Sequence, residues 1–208
     1  MPRTLCRTLL LIAVLPVSAG VPAPSAAGNW PHWRGPDRDG TSGETGLPLR
    51  WDGSTNVLWK LPLPGLSGST PIVWGDRVFL NVTEGDSIHL WSVDLATGEP
   101  VWERHLSDGN ERKRKGNLSS PSPVTDGQRV WTVTGTGVVK AFDFAGREQW
   151  RHDLQREYGK FGILHGYSSS PLLLDDRLVI QVLHGFFTDD PSYLVALDKL
   201  NGEPRWRV

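Results

Sequence analysis

A short pattern ending in tryptophan is written three times in this chain. It reads SVDLATGEPVW at residues 92–102, AFDFAGREQW at 141–150 and ALDKLNGEPRW at 196–206. Aligned on Trp102, Trp150 and Trp206, with an earlier partner Trp59 in NVLWKLPLPG, the intervals are 43, 48 and 56 residues. Those are the lengths of four-stranded propeller blades with stretched loops.

Each unit has the same internal order. A serine or threonine before a proline opens it, as STPIV (69–73), SPV (122–124) and SSPLL (169–173). A tight acidic or glycine turn follows (WGD, TDG, DD), then an arginine and an apolar run: RVFLNV (77–82), RVWTVT (129–134) or RLVIQV (177–182). Runs of six rich in β-branched residues and bounded by turns read as strands. A third strand (IHLWSVD, GVVKAFD, YLVALD) leads into the repeated pattern, and a fourth (PVWERHL, EQWRHDL, PRWRV) carries the tryptophan. Four antiparallel strands make a sheet that cannot bury both faces alone, and stacking copies around an axis solves this. The expected fold is an all-β propeller of four-stranded blades, about three and a half of them in an incomplete ring. A sandwich is the alternative, but it does not require so regular a tryptophan. The 23 glycines, 16 prolines and 10 tryptophans fit a turn-rich β protein.

The repeat has a mechanical reading. Asp94, Asp143 and Asp198 end the third strands, where a carboxylate can accept turn N–H groups. Gly98, Gly146 and Gly202 supply a left-handed turn position. Thr97 and Asn201 are turn hydrogen-bonding residues. The small Ser92, Ala141 and Ala196 let a neighbouring sheet approach, and Trp102, Trp150 and Trp206 offer a flat surface to the adjoining blade. Asp94, Thr97, Gly98, Trp102, Asp143, Gly146, Trp150, Asp198, Gly202 and Trp206 are therefore assigned to a structural docking motif.

These residues resemble the tryptophan-docking motif of the pyrroloquinoline-quinone-like β-propeller repeats, Ala-x-Asp-x-x-Thr-Gly-x-x-x-Trp. The first copy has Ser for Ala, the third has Asn for Thr, and the second is one residue short and lacks the Thr. The resemblance covers essentially everything after Trp30, and NWPHWRGPDRDGTS (29–42) is similar to the start of exported bacterial propellers of this group. The family implies either of two functions. Quinone-dependent alcohol and sugar dehydrogenases hold the quinone with calcium in a central funnel, beside a catalytic aspartate and often a cysteine pair. Non-catalytic propellers include the lipoprotein that assists outer-membrane β-barrel assembly. The expectation is the second kind: a binding or scaffold module with no catalytic, cofactor-binding or metal residues, pyrroloquinoline quinone and calcium entering only under the dehydrogenase alternative.

Residues 1–27 are read as a secretory signal and short linker: Arg3 and Arg7 precede the apolar run LLLIAVLPV (9–17), and VSA and SAA offer cleavage sites. The run is well below the roughly 20 residues of a spanning helix. A short membrane anchor is the other reading. Cleavage would remove Cys6, the one cysteine, leaving no disulfide, cysteine metal site or thiol nucleophile. The chain is expected to be exported to a periplasmic or extracellular compartment, with no transmembrane segment after cleavage. With 22 Lys+Arg against 23 Asp+Glu, nothing suggests a nucleic-acid partner. The domain reading places an N-terminal segment with a leading blade strand at 28–66 and three repeats at 67–208 (about 67–106, 119–154 and 167–208).

Function is expected where the copies differ, in loops 107–118, 155–168 and 184–192. NERKRKGN (110–117) carries Arg112 and Lys113 within four consecutive cations, read as an anion or partner loop or as a solvated connection. FGILHGYSSSP (161–171) offers His165 and Tyr167 to a ligand, or only opens a strand. HGFFTDDPS (184–192) has Phe186 and Phe187 as a protein-contact tip or folded back on the blade. Asp189 and Asp190 are two carboxylates where calcium needs several oxygens. The partner is expected to be a protein or an envelope component. Because four to eight blades close a propeller, the chain is read as an N-terminal piece of a longer protein, or as half of a dimer that completes the ring, with self-association through the open blade edge.

Overall fold

The β-branched runs form strands because each is clamped between tight turns. The computed structural model describes residues 28–208, so the signal segment expected at 1–27 lies outside the described residues. The first sheet contains β1 (Ile72–Trp74), β2 (Arg77–Glu84), β3 (Ser87–Asp94) and β4 (Pro100–Ser107), paired antiparallel in that order. A hairpin, β5 (Arg112–Lys113) and β6 (Gly116–Asn117), follows it. The second sheet contains β7 (Val124–Thr125), β8 (Arg129–Val133), β9 (Val138–Asp143) and β10 (Glu148–Asp153). One helical turn, α1 (Leu154–Tyr158), is N-capped by Asp153, whose carboxylate accepts the Arg156 N–H. The third sheet is β11 (Leu172–Leu174), β12 (Arg177–Val182), β13 (Tyr193–Asp198) and β14 (Pro204–Arg207).

The three four-stranded sheets are propeller blades, and the described residues do not close a ring. Inner strands β1, β7 and β11 lie side by side, with β4, β10 and β14 outermost. The leading blade strand expected within residues 28–66, around Trp59, is absent: the segment makes only an isolated bridge, Trp30 to Val73. Pro62 and Pro64 lack the N–H that a ladder needs. The segment instead lays Trp59 and Leu61 against Val78, Val82, Trp91 and Val93 on the outer face of the first blade.

Register explains how blades stack. One cross-strand row runs Ile72, Phe79, Ser92, Trp102 in the first blade. The matching rows are Val124, Trp131, Ala141, Trp150 and Leu172, Val179, Ala196, Trp206. The small Ser92, Ala141 and Ala196 thus sit directly opposite their tryptophans and leave room for an indole to lie along the sheet. The first row packs on Val130 and Phe142 of the second blade. The second packs on Leu173, Leu178, Ile180 and Leu197 of the third.

Hydroxyls tie the inner strands together. The Thr70 N–H donates to Ser122 Oγ at 2.8 Å, and the Ser122 N–H to Ser170 Oγ at 2.9 Å. Each is the residue before the opening proline, so the Ser/Thr-Pro signature is a blade-to-blade stitch. The N-terminal segment then crosses all three blades. Trp30 exchanges two backbone hydrogen bonds with Val73, the Pro31 carbonyl accepts from Thr125, and Arg38 donates to the Leu173 carbonyl at 2.7 Å.

Candidate functional site

Antiparallel alternation sorts the molecule into two ends. Each inner strand runs away from one end, so the second and fourth strands return to it. The β1–β2 and β3–β4 turns and their equivalents therefore occupy one end, and the connections between blades occupy the other.

The repeated pattern lies at the turn end. Asp94 Oδ1 accepts the Ala96 and Thr97 N–H groups and the Thr97 hydroxyl. Asp198 Oδ1 accepts from Leu200 and Asn201, and its other oxygen binds Arg205. In the shortened second copy Asp143 takes the Arg147 N–H and guanidinium instead. These bonds favour the charged form and hold all three carboxyls below the usual range. Gly98, Gly146 and Gly202 have φ of 76°, 78° and 79°. Trp59 lies over Gly98, Trp102 over Gly146 and Trp150 over Gly202. Their indole N–H groups donate to the carbonyls of Leu95 (2.8 Å), Phe144 (2.9 Å) and Lys199 (3.1 Å). Trp131, which the repeat did not single out, shares the Lys199 carbonyl at 3.0 Å. Trp206, assigned to the same motif, meets no such turn among the described residues and is 38% exposed.

The three variable loops gather at the other end and touch one another. Loop 161–166 joins loop 184–188 because the Gly162 N–H donates to the His184 carbonyl at 2.7 Å, while Phe186 and Phe187 N–H groups donate to the Gly162 carbonyl. A Cβ on Gly162 would sit 2.8 Å from the Phe187 carbonyl carbon, so only glycine allows this approach. On its other side, Gly166 turns at φ 79° against Lys113 and Leu118. The basic hairpin, loop 161–166 and the phenylalanine loop are therefore one continuous rim.

The rim sorts the sequence candidates. Phe186 and Phe187 do not fold back: they are 93% and 69% exposed. His165 is exposed, as is Arg112, while Lys113 is half-buried and paired with Glu111 at 2.6 Å. Tyr167 is a correction. Its ring is buried with Trp131, Leu178 and Ile180, and its hydroxyl donates to the Gln181 carbonyl at 2.8 Å. Burial pushes that hydroxyl's pKa up, and no face is left for a partner. An aromatic ring at a loop end has enough apolar area to be drawn into the core. Asp190 is also internal to its loop, accepting from the Lys160 N–H and the Thr188 hydroxyl.

Beside the hairpin is a cleft of about 550 Å³ that the sequence did not reveal. Residues 65–68 form one wall and residues 112–117 the other, with Thr83 and Gly85 between them. The Leu66 carbonyl accepts from both Thr83 Oγ1 and Asn117 Nδ2, which ties the walls together.

A family profile described as outer membrane protein assembly factor BamB matches residues 42–156 and again 92–208, the two matches overlapping by whole repeats. The chain belongs to this family. A curated member, the outer membrane protein assembly factor BamB of Vibrio cholerae, is 26% identical over 158 residues, covering 71% of the chain. The chain spans about a third of that protein's length (34%). Among solved structures, a europium-containing methanol dehydrogenase superposes with a TM-score of 0.54 at 17% identity, over 72% of this chain and 26% of its own. A quinohemoprotein alcohol dehydrogenase from Pseudomonas putida HK5 gives 0.52 at 19% identity, over 72% of this chain and 21% of its own. At such identities these two share the propeller fold.

Among the described residues no three or more His, Cys, Asp or Glu side chains come together as a metal site. Calcium needs several converging carboxylate or amide oxygens. Asp94, Asp143 and Asp198 point into their own turns, and Asp126 is held by Lys199 at 2.9 Å. Near the axis, the Ser122 and Ser170 hydroxyl oxygens accept the N–H groups of Thr70 and Ser122.

Proposed function

We propose that the chain is part of an exported, non-enzymatic propeller that binds a protein of the cell envelope through its loop end, within a longer propeller. The observation that carries the reading is the continuous rim of Phe186, Phe187, His165 and the basic hairpin, held in place by Gly162 and Gly166. Exposed aromatics beside cations, on loops braced by a rigid scaffold, are the composition of a protein-contact surface. Kinship with an outer membrane assembly factor supports an envelope protein as partner. Among the described residues no helix is long and apolar enough to cross a membrane. The reading assigns no quinone, calcium or nucleic acid to the chain.

Photo-crosslinking in an export-competent bacterial host tests this. A crosslinker at Phe187 should give a discrete protein adduct, and one at Arg151 on an outer strand should not. Equal labelling from both positions would overturn it. A saturable absorbance change on adding pyrroloquinoline quinone with calcium would favour the dehydrogenase reading instead.

A further inference from the structure

The hairpin cleft has a chemistry of its own. Its outer wall presents Arg112, Lys113, Arg114 and Lys115 in sequence, displayed on a two-residue ladder rather than a loose loop. Glu111 neutralises Lys113, while Arg112, Arg114 and Lys115 form no ion pair among the described residues. The facing wall differs in kind. Between Gly65 and Gly68 the main chain packs so closely on Thr83 and Ser120 that a Cβ at either glycine would collide. The N–H groups of Gly65, Leu66, Ser67 and Gly68 donate no hydrogen bond among the described residues. Leu66 stands 80% exposed beside them.

Cations on one side, open backbone donors and an apolar side chain on the other, fit a ligand that is anionic, extended and partly apolar. We propose that this cleft binds an extended acidic segment of the protein partner, one that alternates carboxylate and apolar side chains. Its carboxylates face Arg112, Arg114 and Lys115, its carbonyls meet the amides of residues 65–68, and an apolar side chain rests on Leu66. A strand's period of two places these groups on opposite sides. The cleft is a trough with two walls rather than a projecting tip, which suits a chain better than a lipid surface. The proposal rests on the loop end being the binding end, and it names the partner's chemistry.

Fluorescence anisotropy with a labelled peptide of alternating glutamate and leucine provides the test. The parent chain should bind it, with affinity falling as salt rises. Arg112→Glu with Lys115→Glu should weaken binding by about tenfold or more, while Arg151→Glu changes it less than about twofold. Thermal melts of the variants should match the parent. Phe186→Ser with Phe187→Ser should leave peptide binding intact, so failure of the cleft and failure of the rim as a whole are separable. Equal binding by the parent and the double charge variant would overturn the proposal. So would tighter binding to phosphatidylglycerol vesicles than to the peptide, or equal binding of a peptide with lysine for glutamate.

Discussion

Gly146 carries a tryptophan. A Cβ there would lie 2.9 Å from the Trp102 ring and 3.1 Å from the Arg104 guanidinium carbon, in a backbone at φ 78° that side chains disfavour. Gly146→Ala should therefore cost about 2 kcal/mol or more, the left-handed penalty plus displacement of the indole, read from urea melts. Trp102→Ala, which empties the blade junction, should cost about 3–5 kcal/mol. Asp94 gives the turn a pH dependence. Hydrogen bonds from Thr97 hold its carboxyl below the usual value, so as pH falls the unfolded chain takes up the proton first. Its stabilisation is complete above about pH 5 and is lost as pH falls through the depressed folded value. The stability gap between the parent and Asp94→Asn should then be widest near neutrality and shrink toward pH 2, measured by melts across that range. Asp, Gly and Trp were legible because they recur in the same order in all three copies. Trp131 was not: it shares the Lys199 carbonyl with Trp150, but it occurs in one copy only, so no recurrence marks it.

Elements here are joined by contacts that single residues do not announce. The proline-preceding Ser122 reads as a strand opener, yet its Oγ accepts the Thr70 N–H from the neighbouring blade while its own N–H reaches Ser170. Ser122→Ala strands the Thr70 donor in a half-buried site and should lower stability by about 1–2 kcal/mol, with Ser122→Thr restoring most of it in the same thermal melts. The strands themselves were readable from β-branched runs between turns, and β12 and β13 coincide with RLVIQV and YLVALD. Two elements escaped for physical reasons. Residues 57–64 have strand-like apolar content, but Pro62 and Pro64 remove ladder donors, so the segment covers a blade face without joining it. The basic run 112–115 reads as solvated charge, and only the Asn117 link to Leu66 shows that it walls a cleft. The candidate site was thus half legible. Its loops could be named from their departure from the repeat, but their contiguity depends on Gly162 and Gly166, whose role is set by what approaches them in space.

At the scale of the described residues, 28–208, the free faces of the first and third blades are treated differently. Trp59 and Leu61 cover the first blade, and Trp59 fills the docking turn at Gly98. The third blade turns the row Leu172, Val179, Ala196, Trp206 outward, the same row that is buried at the two inner junctions. Leu172, Leu174, Leu194 and Trp206 on that face are all exposed. A head-to-tail contact with a second copy would need the Gly98 turn, which is already occupied. Two third blades meeting face to face need no displacement, and that symmetric contact is self-complementary. Residues 28–208 prepared alone should therefore form dimers whose population rises with concentration. Sedimentation velocity should show the shift, and Leu172→Ser with Leu174→Ser should return the chain to monomer with little change in melting temperature, because both side chains are already in contact with water. A dimer that persists in that variant but is lost in Trp59→Ala would instead place the contact at the first blade, with Trp59 displaced by an incoming Trp206.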